Sequence, residues 1–188
     1  NMIKKLGLTR IGQKMFNANR ATQRDAFELW PGFASVFVSK PNLFLLNVDI
    51  CTKVVRQESV LNALSTIRNR FRENWEQAIA EQLVGKSVMT RYNKRFYIIK
   101  AIELGKTPRD TFLSSDNTQI SFAEYAEKRY NVPRVDLSQP MILSEDKKTR
   151  NQVYLIPELC QMTGLTDQER ANRQLMTSLD GEMKPEAA

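Results

Sequence analysis

The sequence contains no histidine, and this absence excludes several kinds of active site at once. Imidazole is the commonest general base, it activates the nucleophile of serine and cysteine hydrolases, and it is the usual zinc ligand. Histidine-based hydrolysis and histidine-ligated zinc are therefore excluded. Chemistry that needs only carboxylates stays possible.

Cysteine and glycine are scarce and scattered. The two cysteines, Cys51 and Cys160, lie in hydrophobic surroundings without C-x-x-C spacing. This pattern predicts buried free thiols, rather than a disulfide or a metal site, and a reducing compartment. The seven glycines form no phosphate-binding loop, which argues against P-loop and dinucleotide-binding folds. We expect no cofactor and no bound metal.

Long apolar runs are also missing. No stretch approaches the roughly 18 apolar residues that a membrane-spanning helix needs, and the N-terminal residues lack the apolar stretch of a signal peptide. We therefore expect an intracellular protein, cytoplasmic or nuclear, without a membrane partner.

Basic charge is abundant by contrast. The formal net charge is +7 at pH 7, which favours an anionic partner, although lysines that only maintain solubility give the same balance. The 41% hydrophobic content is enough to build a core. The chain is therefore expected to fold and to carry a basic surface.

Short apolar runs predict a mainly β chain with a few helices. Runs at residues 33–38 and 43–50 flank Lys40-Pro41-Asn42 and predict a hairpin. Residues 1–30 have only a weak helical pattern, and Trp30-Pro31-Gly32 is expected to interrupt regular structure and mark a boundary. Apolar spacings of three and four residues predict helix in two pieces over residues 57–84.

The second half of the chain predicts further short strands around a small helix. A second hairpin is expected to turn at Tyr92-Asn93-Lys94-Arg95, with strands at 87–90 and 96–102. Ser121 and Glu124 form a capping box, which predicts a helix from Ser121 to about Tyr130. Other short strands are expected around Phe112, around Ile120, and at residues 140–144 and 152–156. This pattern favours a compact barrel of the OB or SH3 kind.

All five tyrosines fall between residues 92 and 154, interleaved with basic residues. Tyrosine stacks on bases or sugars and its hydroxyl can donate to phosphate, so converging tyrosines with nearby cations suit a nucleotide end. The same tyrosines also fit as ordinary half-buried barrel residues. The carboxylate pairs Glu124 with Glu127 and Asp110 with Asp116 could in principle serve acid/base catalysis or hold a divalent ion. We favour structural roles, because Glu124 is a cap residue and Asp116-Asn117 has ordinary turn composition.

Several motifs, taken in order and spacing, resemble the PAZ domain of Argonaute proteins of the PIWI clade. The motifs are Tyr92-Asn93-Lys94-Arg95-Phe96-Tyr97, Thr111-Phe112, Ile120-Ser121-Phe122-Ala123-Glu124-Tyr125, Gln139-Pro140-Met141-Ile142-Leu143-Ser144, and residues 155–165 from Leu-Ile-Pro-Glu-Leu-Cys to Thr-Gly-Leu. The stretches Trp30-Pro31-Gly32-Phe33 and 54–61 are similar to the linker that precedes this domain.

The resemblance implies a small OB/SH3-like β-barrel, with a β-hairpin and helix inserted as a lid, and a flanking linker hairpin and helices. It implies a preceding linker at residues 1–54, the PAZ domain at 55–164, and the start of a second linker at 165–188. The fragment is then expected to bind rather than to catalyse. Any cutting of RNA would lie elsewhere in a longer Argonaute, whose remaining domains are expected partners.

The resemblance also implies nine RNA-binding residues: Tyr92, Arg95, Tyr97, Phe112, Tyr125, Lys128, Tyr130, Tyr154 and Leu155. In this scheme Tyr92, Arg95 and Tyr97 face the terminal phosphates, and Phe112 lies under the terminal sugar and base. Tyr125 binds phosphate, with Lys128 and Tyr130 continuing its surface. Tyr154 and Leu155 close the floor.

The implied function is to bind the 3′ end of a single-stranded small guide RNA of the PIWI-interacting type, with a 2′-O-methylated terminus, in RNA-mediated gene silencing. Two alternatives stay open. One is a barrel that binds a methylated peptide, which acidic residues around the aromatic side chains would favour. The other is the PAZ domain of a Dicer-type nuclease.

Overall fold

Short β-strands dominate the regular structure of this chain, as the apolar runs predict. The computed structural model describes residues 6–41, 43–114, 116–146 and 150–183. It divides into two compact units: one runs to Gln57 and resumes at Gly164, and the other comprises Glu58–Thr163. The second unit carries the aromatic residues that the sequence singles out.

The first unit is an antiparallel sheet built on one long hairpin. Its strands are β1 (Leu8–Ile11), β2 (Lys14–Asn17), β3 (Thr22–Arg24), β4 (Phe27–Lys40) and β5 (Leu43–Ser59). They lie in the order β1-β2-β4-β5, and β3 also pairs with β4. The β4–β5 register runs from Phe27 opposite Arg56 to Lys40 opposite Leu43, which confirms the predicted hairpin. Asn42, in its predicted turn, lies outside the described residues.

The weak helical pattern over residues 1–30 predicts helix, and this prediction is wrong for residues 6–30, the part of that stretch that the structure describes. From Leu8 onward the chain forms β1, β2, a 3₁₀ turn (Ala18–Arg20), β3 and the beginning of β4. Gly7, Gly12 and Asp25 have positive φ angles, and they stand at the turns where these short strands begin or reverse. Strand pairing has therefore overridden a weak local pattern.

The predicted interruption at Trp30-Pro31-Gly32 is also wrong, because these residues lie inside β4. Proline has no N–H for a strand ladder, but β3 pairs with β4 only as far as Leu29, and β2 pairs with it from Gly32 onward. Pro31 thus falls in the gap between two partners on that edge. Gly32 permits close approach, since a Cβ there would lie 2.3 Å from the carbonyl oxygen of Met15.

The C-terminal segment packs on this sheet through two helices, α4 (Asp167–Ala171) and α5 (Arg173–Met183). Phe27, Leu29 and Leu179 form its buried core. A capping box between Thr166 and Glu169 begins α4. Arg56 of β5 donates to the Glu169 carboxylate, and its guanidinium lies 5.7 Å from the centre of the Phe27 ring.

The outer part of the β4–β5 hairpin exposes apolar side chains on both faces. Residues paired across antiparallel strands share a face, so Phe37 and Leu46 lie on one side, and Val38 and Leu45 on the other. Phe37 and Leu46 are 67% and 61% exposed. Since a two-stranded ribbon is only marginally stable in water, burial of either face would be favourable.

The second unit begins with the helical pair that the sequence predicts, α1 (Val60–Arg70) and α2 (Trp75–Leu83). Ser59 caps α1 by accepting a hydrogen bond from the backbone N–H of Asn62 at 3.2 Å. Leu64 and Ile79 are among the residues that both helices bury in the barrel core. Within the described ranges, no helix is long and apolar enough to cross a bilayer.

Six short strands form the barrel of this unit: β6 (Ser87–Thr90), β7 (Phe96–Ile98), β8 (Ala101–Glu103), β11 (Met141–Glu145), β12 (Gln152–Leu155) and β13 (Cys160–Thr163). Two antiparallel groups, β13-β6-β7 and β12-β11-β8, make up its wall. The core contains Val88, Ile99, Ile142, Leu155 and Cys160. This is the mainly β, OB-like barrel that the sequence predicts.

The strand predicted at residues 96–102 is in fact two strands. Ile99 donates its N–H to the carbonyl of Lys86 at 3.0 Å, whereas Lys100 donates to the carbonyl of Leu143 on β11 at 2.8 Å. The chain therefore changes partner at this point, which links the two groups of strands. Pro157–Leu159 form a single 3₁₀ turn, and β13 follows at once.

The inserted lid consists of β9 (Thr111–Leu113), β10 (Gln119–Ser121) and α3 (Phe122–Tyr130). The predicted capping box is confirmed: Ser121 Oγ accepts from the Glu124 N–H at 3.2 Å, and the Glu124 carboxylate accepts from the Ser121 N–H at 3.3 Å. The helix ends at Asn131, whose φ of 52° is left-handed. Lid and barrel together position the aromatic side chains.

Candidate functional site

Six aromatic side chains of the second unit form a continuous series of ring contacts. In order of contact they are Tyr92, Tyr130, Tyr125, Phe112, Phe122 and Tyr154, and we call this set the aromatic series. The successive centroid distances are 4.2, 6.1, 5.3, 4.8 and 5.5 Å. Two of these contacts are stacked and the others are tilted or edge-on, the arrangements that aromatic quadrupoles favour.

The turn between β6 and β7 positions Tyr92 at one end of the series. Thr90 Oγ1 hydrogen-bonds the side chain of Asn93, whose Oδ1 also accepts from the Arg95 N–H at 3.1 Å. Lys94 takes a positive φ of 53°, which tightens the turn. Arg91 donates its N–H to the carbonyl of Leu159 at 2.9 Å, so the β6–β7 turn is also tied to the 3₁₀ turn at Pro157–Leu159.

Helix α3 contributes the middle of the series. Phe122 and Tyr125 are three residues apart and share a face, while Ala126 on the adjoining face is buried against Met141, Ile156 and Leu159. The small alanine side chain lets the helix lie close to the barrel. Tyr130 stands at the last helical position, where it stacks on Tyr92 at an interplanar angle of 28°.

Phe112 is held by the β9–β10 hairpin and by the loop before it. Phe112 lies opposite Ile120 in the hairpin register. Phe122 donates its N–H to the carbonyl of Asp110 at 3.1 Å, which fixes the helix start to the strand start. The Asp110 carboxylate in turn accepts from the Thr107 N–H at 2.6 Å. Phe112 and Phe122 are therefore kept parallel by backbone contacts as well as by stacking.

Burial keeps the hydroxyls of Tyr92, Tyr97 and Tyr125 neutral. It raises the pKa of Tyr92, and the nearby Cys160 and Tyr130 raise it further. Burial is also the first cause of the raised pKa of Tyr125, whose hydroxyl hydrogen-bonds Tyr130. For Tyr97, burial raises the pKa while a hydrogen bond from Arg95 partly opposes it. These phenols therefore stay protonated, and able to donate, throughout the neutral range.

Affinity for a single-stranded nucleic acid should therefore be nearly independent of pH between about 6 and 9. The chain has no histidine to titrate there, and the raised tyrosine pKa values put phenol ionisation above its usual range. Stability should fall above about pH 10, because the unfolded tyrosines lose their protons before the folded ones do. Fluorescence anisotropy and urea titrations across this range measure both, and a step in affinity near pH 6 to 7 would contradict the first expectation.

Cations flank the aromatic series at separate points. The Arg95 guanidinium hydrogen-bonds Tyr97, and the Arg129 charge lies near the Tyr125 hydroxyl. Lys106 lies over the ring of Tyr154, with its Nζ 4.0 Å from the ring centre. One carboxylate, Asp146, is close enough to Tyr97 to raise its pKa. The site thus combines flat apolar faces, neutral hydroxyl donors and mostly positive charge.

The structure brings together most of the residues predicted for the site. Tyr92, Phe112, Tyr125, Tyr130 and Tyr154 belong to the aromatic series. Tyr97, with Arg95, lies near Tyr92 and Tyr130 at one end of the series.

Two predicted residues lie apart from the series. Lys128 is exposed on α3. Leu155 is 3% exposed and packs in the barrel core, because successive residues of β12 point to opposite faces and Tyr154 occupies the face toward the lid.

Two members of the site were not predicted. Phe122 follows the cap residue Ser121 and lies three positions before Tyr125, so helical spacing was an available signal for it. Lys106 has no local signal, since its contact with Tyr154 is made only when the loop after β8 meets β12.

The carboxylates considered for acid/base chemistry have structural roles. Glu124 completes the helix cap. Hydrogen bonds from Thr107 lower the pKa of Asp110, and hydrogen bonds within its own turn lower that of Asp116, the opposite of what a general acid needs. In the parts of the chain that the structure describes, no group of three or more His, Cys, Asp or Glu side chains is arranged to hold a metal ion.

Comparison with known proteins identifies the family. The model of the PAZ domain family matches residues 59–184, which is more than half of this chain. The chain belongs to the PAZ domain family. Bombyx mori Siwi is 36% identical over 93% of this chain and 20% of that protein, and Drosophila melanogaster protein piwi is 32% identical over 94% of this chain and 22% of that protein.

Solved structures agree with this assignment. The crystal structure of Drosophila Piwi matches this PAZ domain with a TM-score of 0.57 and 28% identity, over 97% of this chain and 22% of that one. A Clostridium butyricum Argonaute structure has the same fold at a TM-score of 0.52 and 14% identity, over 92% of this chain and 24% of that one. The relatives that this PAZ domain matches at 30% identity or more are Piwi proteins, as the sequence resemblance predicts.

Family membership also indicates what this domain does: it binds rather than catalyses. A PAZ domain is a binding domain, and the catalytic domain of Argonaute relatives lies elsewhere in those proteins. This chain spans about a fifth of the length of the curated relatives it matches. The family acts in small-RNA silencing, so RNA binding is consistent with membership.

Proposed function

We propose that this PAZ domain binds the 3′ end of a single-stranded small guide RNA, of the PIWI-interacting type with a 2′-O-methylated terminus, for RNA-mediated gene silencing. The aromatic series carries the proposal. Every base has a flat face, so stacking on aromatic side chains holds a strand without reading its sequence. A site of this kind between a lid and a barrel suits the unpaired end of an RNA.

Each side chain has a defined role in this proposal. Tyr92, Arg95 and Tyr97 face the terminal phosphates, and Phe112 lies under the terminal sugar and base. Tyr125 and Tyr130 contribute their hydroxyls, with Lys128 on the same helix contributing charge. Tyr154 supports the other end of the series, while Leu155 acts only from within the core. Phe112 is the apolar surface available to a 2′-O-methyl group.

The charges near the rings favour RNA over a methylated peptide. A cage for methylated lysine or arginine attracts a cation, so carboxylates beside the rings would strengthen it. Here Lys106 covers Tyr154 and Arg95 bonds Tyr97, while Asp146 is the carboxylate noted near Tyr97. A cationic ligand would meet repulsion at both ends of the series, whereas a polyanion would not.

The test compares short RNAs that differ only at the 3′ terminus: hydroxyl, 2′-O-methyl or phosphate. We expect the 3′-phosphate to bind about tenfold more weakly, because the added charge loses water when it is placed against the apolar ring faces. Fluorescence anisotropy measures the affinities. An RNA carrying the same phosphate at its 5′ end is the control, since it has equal charge. If all ends bind alike and affinity follows salt alone, the proposal is wrong.

Tyr125 supplies a variant that separates the hydroxyl from the ring. Tyr125→Phe keeps the contact with Phe112 and removes the hydrogen bond to Tyr130, so the preference for a 3′-hydroxyl over a 3′-phosphate should shrink by about threefold to tenfold. Overall affinity should change less. Tyr125→Ala removes both features and should lower affinity for all three ends.

A further inference from the structure

Lys106 changes what Tyr154 can do in the site. Its Nζ lies 4.0 Å from the centre of the Tyr154 ring, and the lysine side chain is partly buried. An ammonium held over an aromatic face is attracted by the ring quadrupole and occupies that face. A base therefore cannot stack there, and the series ends in a positive charge rather than in another stacking surface.

The loop that carries Lys106 is firmly held. Lys106 donates its N–H to the carbonyl of Glu103 at 3.3 Å, and the next residue, Thr107, bonds the Asp110 carboxylate through both its N–H and its hydroxyl. Pro108 is fully buried. The Lys106 charge helps to lower the pKa of Asp110, so this carboxylate is near, but its Oδ2 is already engaged by Thr107. The ammonium is thus positioned by the fold.

Cations stand at both ends of the aromatic series. Tyr97, which Arg95 hydrogen-bonds, lies near Tyr130 at the first end, and Lys106 lies over Tyr154 at the last. In a single strand the bases are joined by phosphates, so rings that hold bases need cations before and after them. We propose that Lys106 binds a second backbone phosphate of the RNA, distinct from the phosphates that Arg95 faces. This inference rests on the proposed function.

Salt dependence distinguishes a phosphate contact from a purely structural role. Each phosphate neutralised on a single strand contributes about 0.7 to the slope of log K against log salt concentration. Lys106→Met keeps the aliphatic stem over Tyr154 and removes the charge, so we expect the slope to fall by about 0.7 and affinity to fall about threefold to tenfold at low salt. Lys106→Arg should keep the slope.

Lys86→Met is the matched control, since Lys86 is an exposed lysine in the loop between α2 and β6. It removes the same net charge and should leave the slope near that of the wild type. Thermal unfolding of each variant checks folding, and Lys106→Gln repeats the measurement with a polar side chain if the methionine variant is unstable.

The outcomes separate the two proposals. If the wild type discriminates against a 3′-phosphate but Lys106→Met and Lys106→Gln both keep its salt slope, the Lys106 proposal is overturned and the proposed function stands. If the wild type does not discriminate between ends, the proposed function fails whatever Lys106 does. A slope loss in Lys106→Met and Lys106→Gln, with none in Lys106→Arg or Lys86→Met, supports the phosphate contact. An equal loss in Lys86→Met overturns it.

Discussion

Replacing Phe112 with alanine should lower the affinity for single-stranded RNA by about tenfold to a hundredfold, because one base stacked on an aromatic side chain contributes about 1 to 3 kcal/mol. The Phe112 ring contacts two members of the aromatic series. Its centre lies 4.8 Å from the centre of the Phe122 ring and 5.3 Å from that of Tyr125. Its loss removes one stacking surface and frees both neighbours to move. Anisotropy with a short RNA ending in a 3′-hydroxyl measures the change.

The fold should survive this substitution. Phe112 is half-buried on the two-stranded β9–β10 hairpin, whereas the barrel core is formed by residues such as Val88, Ile99 and Ile142. The matched control is Leu113→Ala, because Leu113 is the next residue of the same strand, points the other way and is 66% exposed. It should bind RNA as the wild type does. Equal losses in both variants would mean that the hairpin, rather than the ring, matters.

A conservative variant makes the Phe112 test sharper. Phe112→Tyr keeps a flat ring in the series and should retain most of the affinity, whereas Phe112→Leu keeps apolar volume without a stacking face and should lose most of it. If the leucine variant binds as well as the wild type, the site uses apolar burial and not stacking. The proposed contact of the terminal base with Phe112 would then have to be abandoned.

Local signals in the sequence predicted the parts of the fold that local interactions decide. The cap at Ser121 is a contact between residues three apart, so its motif is sufficient. The turn before Arg95 closes within a few residues. The prediction that Pro31 and Gly32 interrupt regular structure is wrong because pairing of β4 with β2 and β3 determines their conformation. Those strands lie elsewhere in the sequence, so no local pattern reveals them.

In the candidate site, too, local sequence signals predict some features, while contacts between distant segments determine others. Clustering of the tyrosines between residues 92 and 154 predicts that their rings converge, and five of the nine predicted residues lie in one series of contacts. The contact of Tyr92 with Tyr130 and that of Lys106 with Tyr154 depend on how the lid meets the barrel. Adjacent positions such as Tyr154 and Leu155 face opposite sides of one strand, so neighbouring residues of a motif need not share a role.

Gln139 should be among the most sensitive positions for stability. It is 2% exposed, and its amide nitrogen donates to the Asp136 carbonyl at 2.8 Å and to the Glu158 carboxylate at 3.0 Å, while its oxygen accepts from the Glu158 N–H at 2.9 Å. Gln139→Ala removes all three bonds and leaves partly buried polar groups without them. We expect the free energy of unfolding to fall by about 2 to 4 kcal/mol.

Urea denaturation of the variants measures this loss. Ser138→Ala is the neighbouring control. Ser138 is exposed and its hydroxyl donates to the Asp136 carboxylate at 2.7 Å, so the loss should be about 1 kcal/mol or less.

Gln139→Glu tests the hydrogen-bond account by charge. It places a second carboxylate beside Glu158, which raises the folded-state pKa of the pair, so this variant should be least stable at neutral pH and recover as the pH falls and one carboxyl gains a proton. A glutamate variant whose deficit does not change with pH would contradict the direct contact with Glu158. The connection between the residues just before β11 and the 3₁₀ turn at Pro157–Leu159 would then depend on packing around Pro140 rather than on the Gln139 side chain.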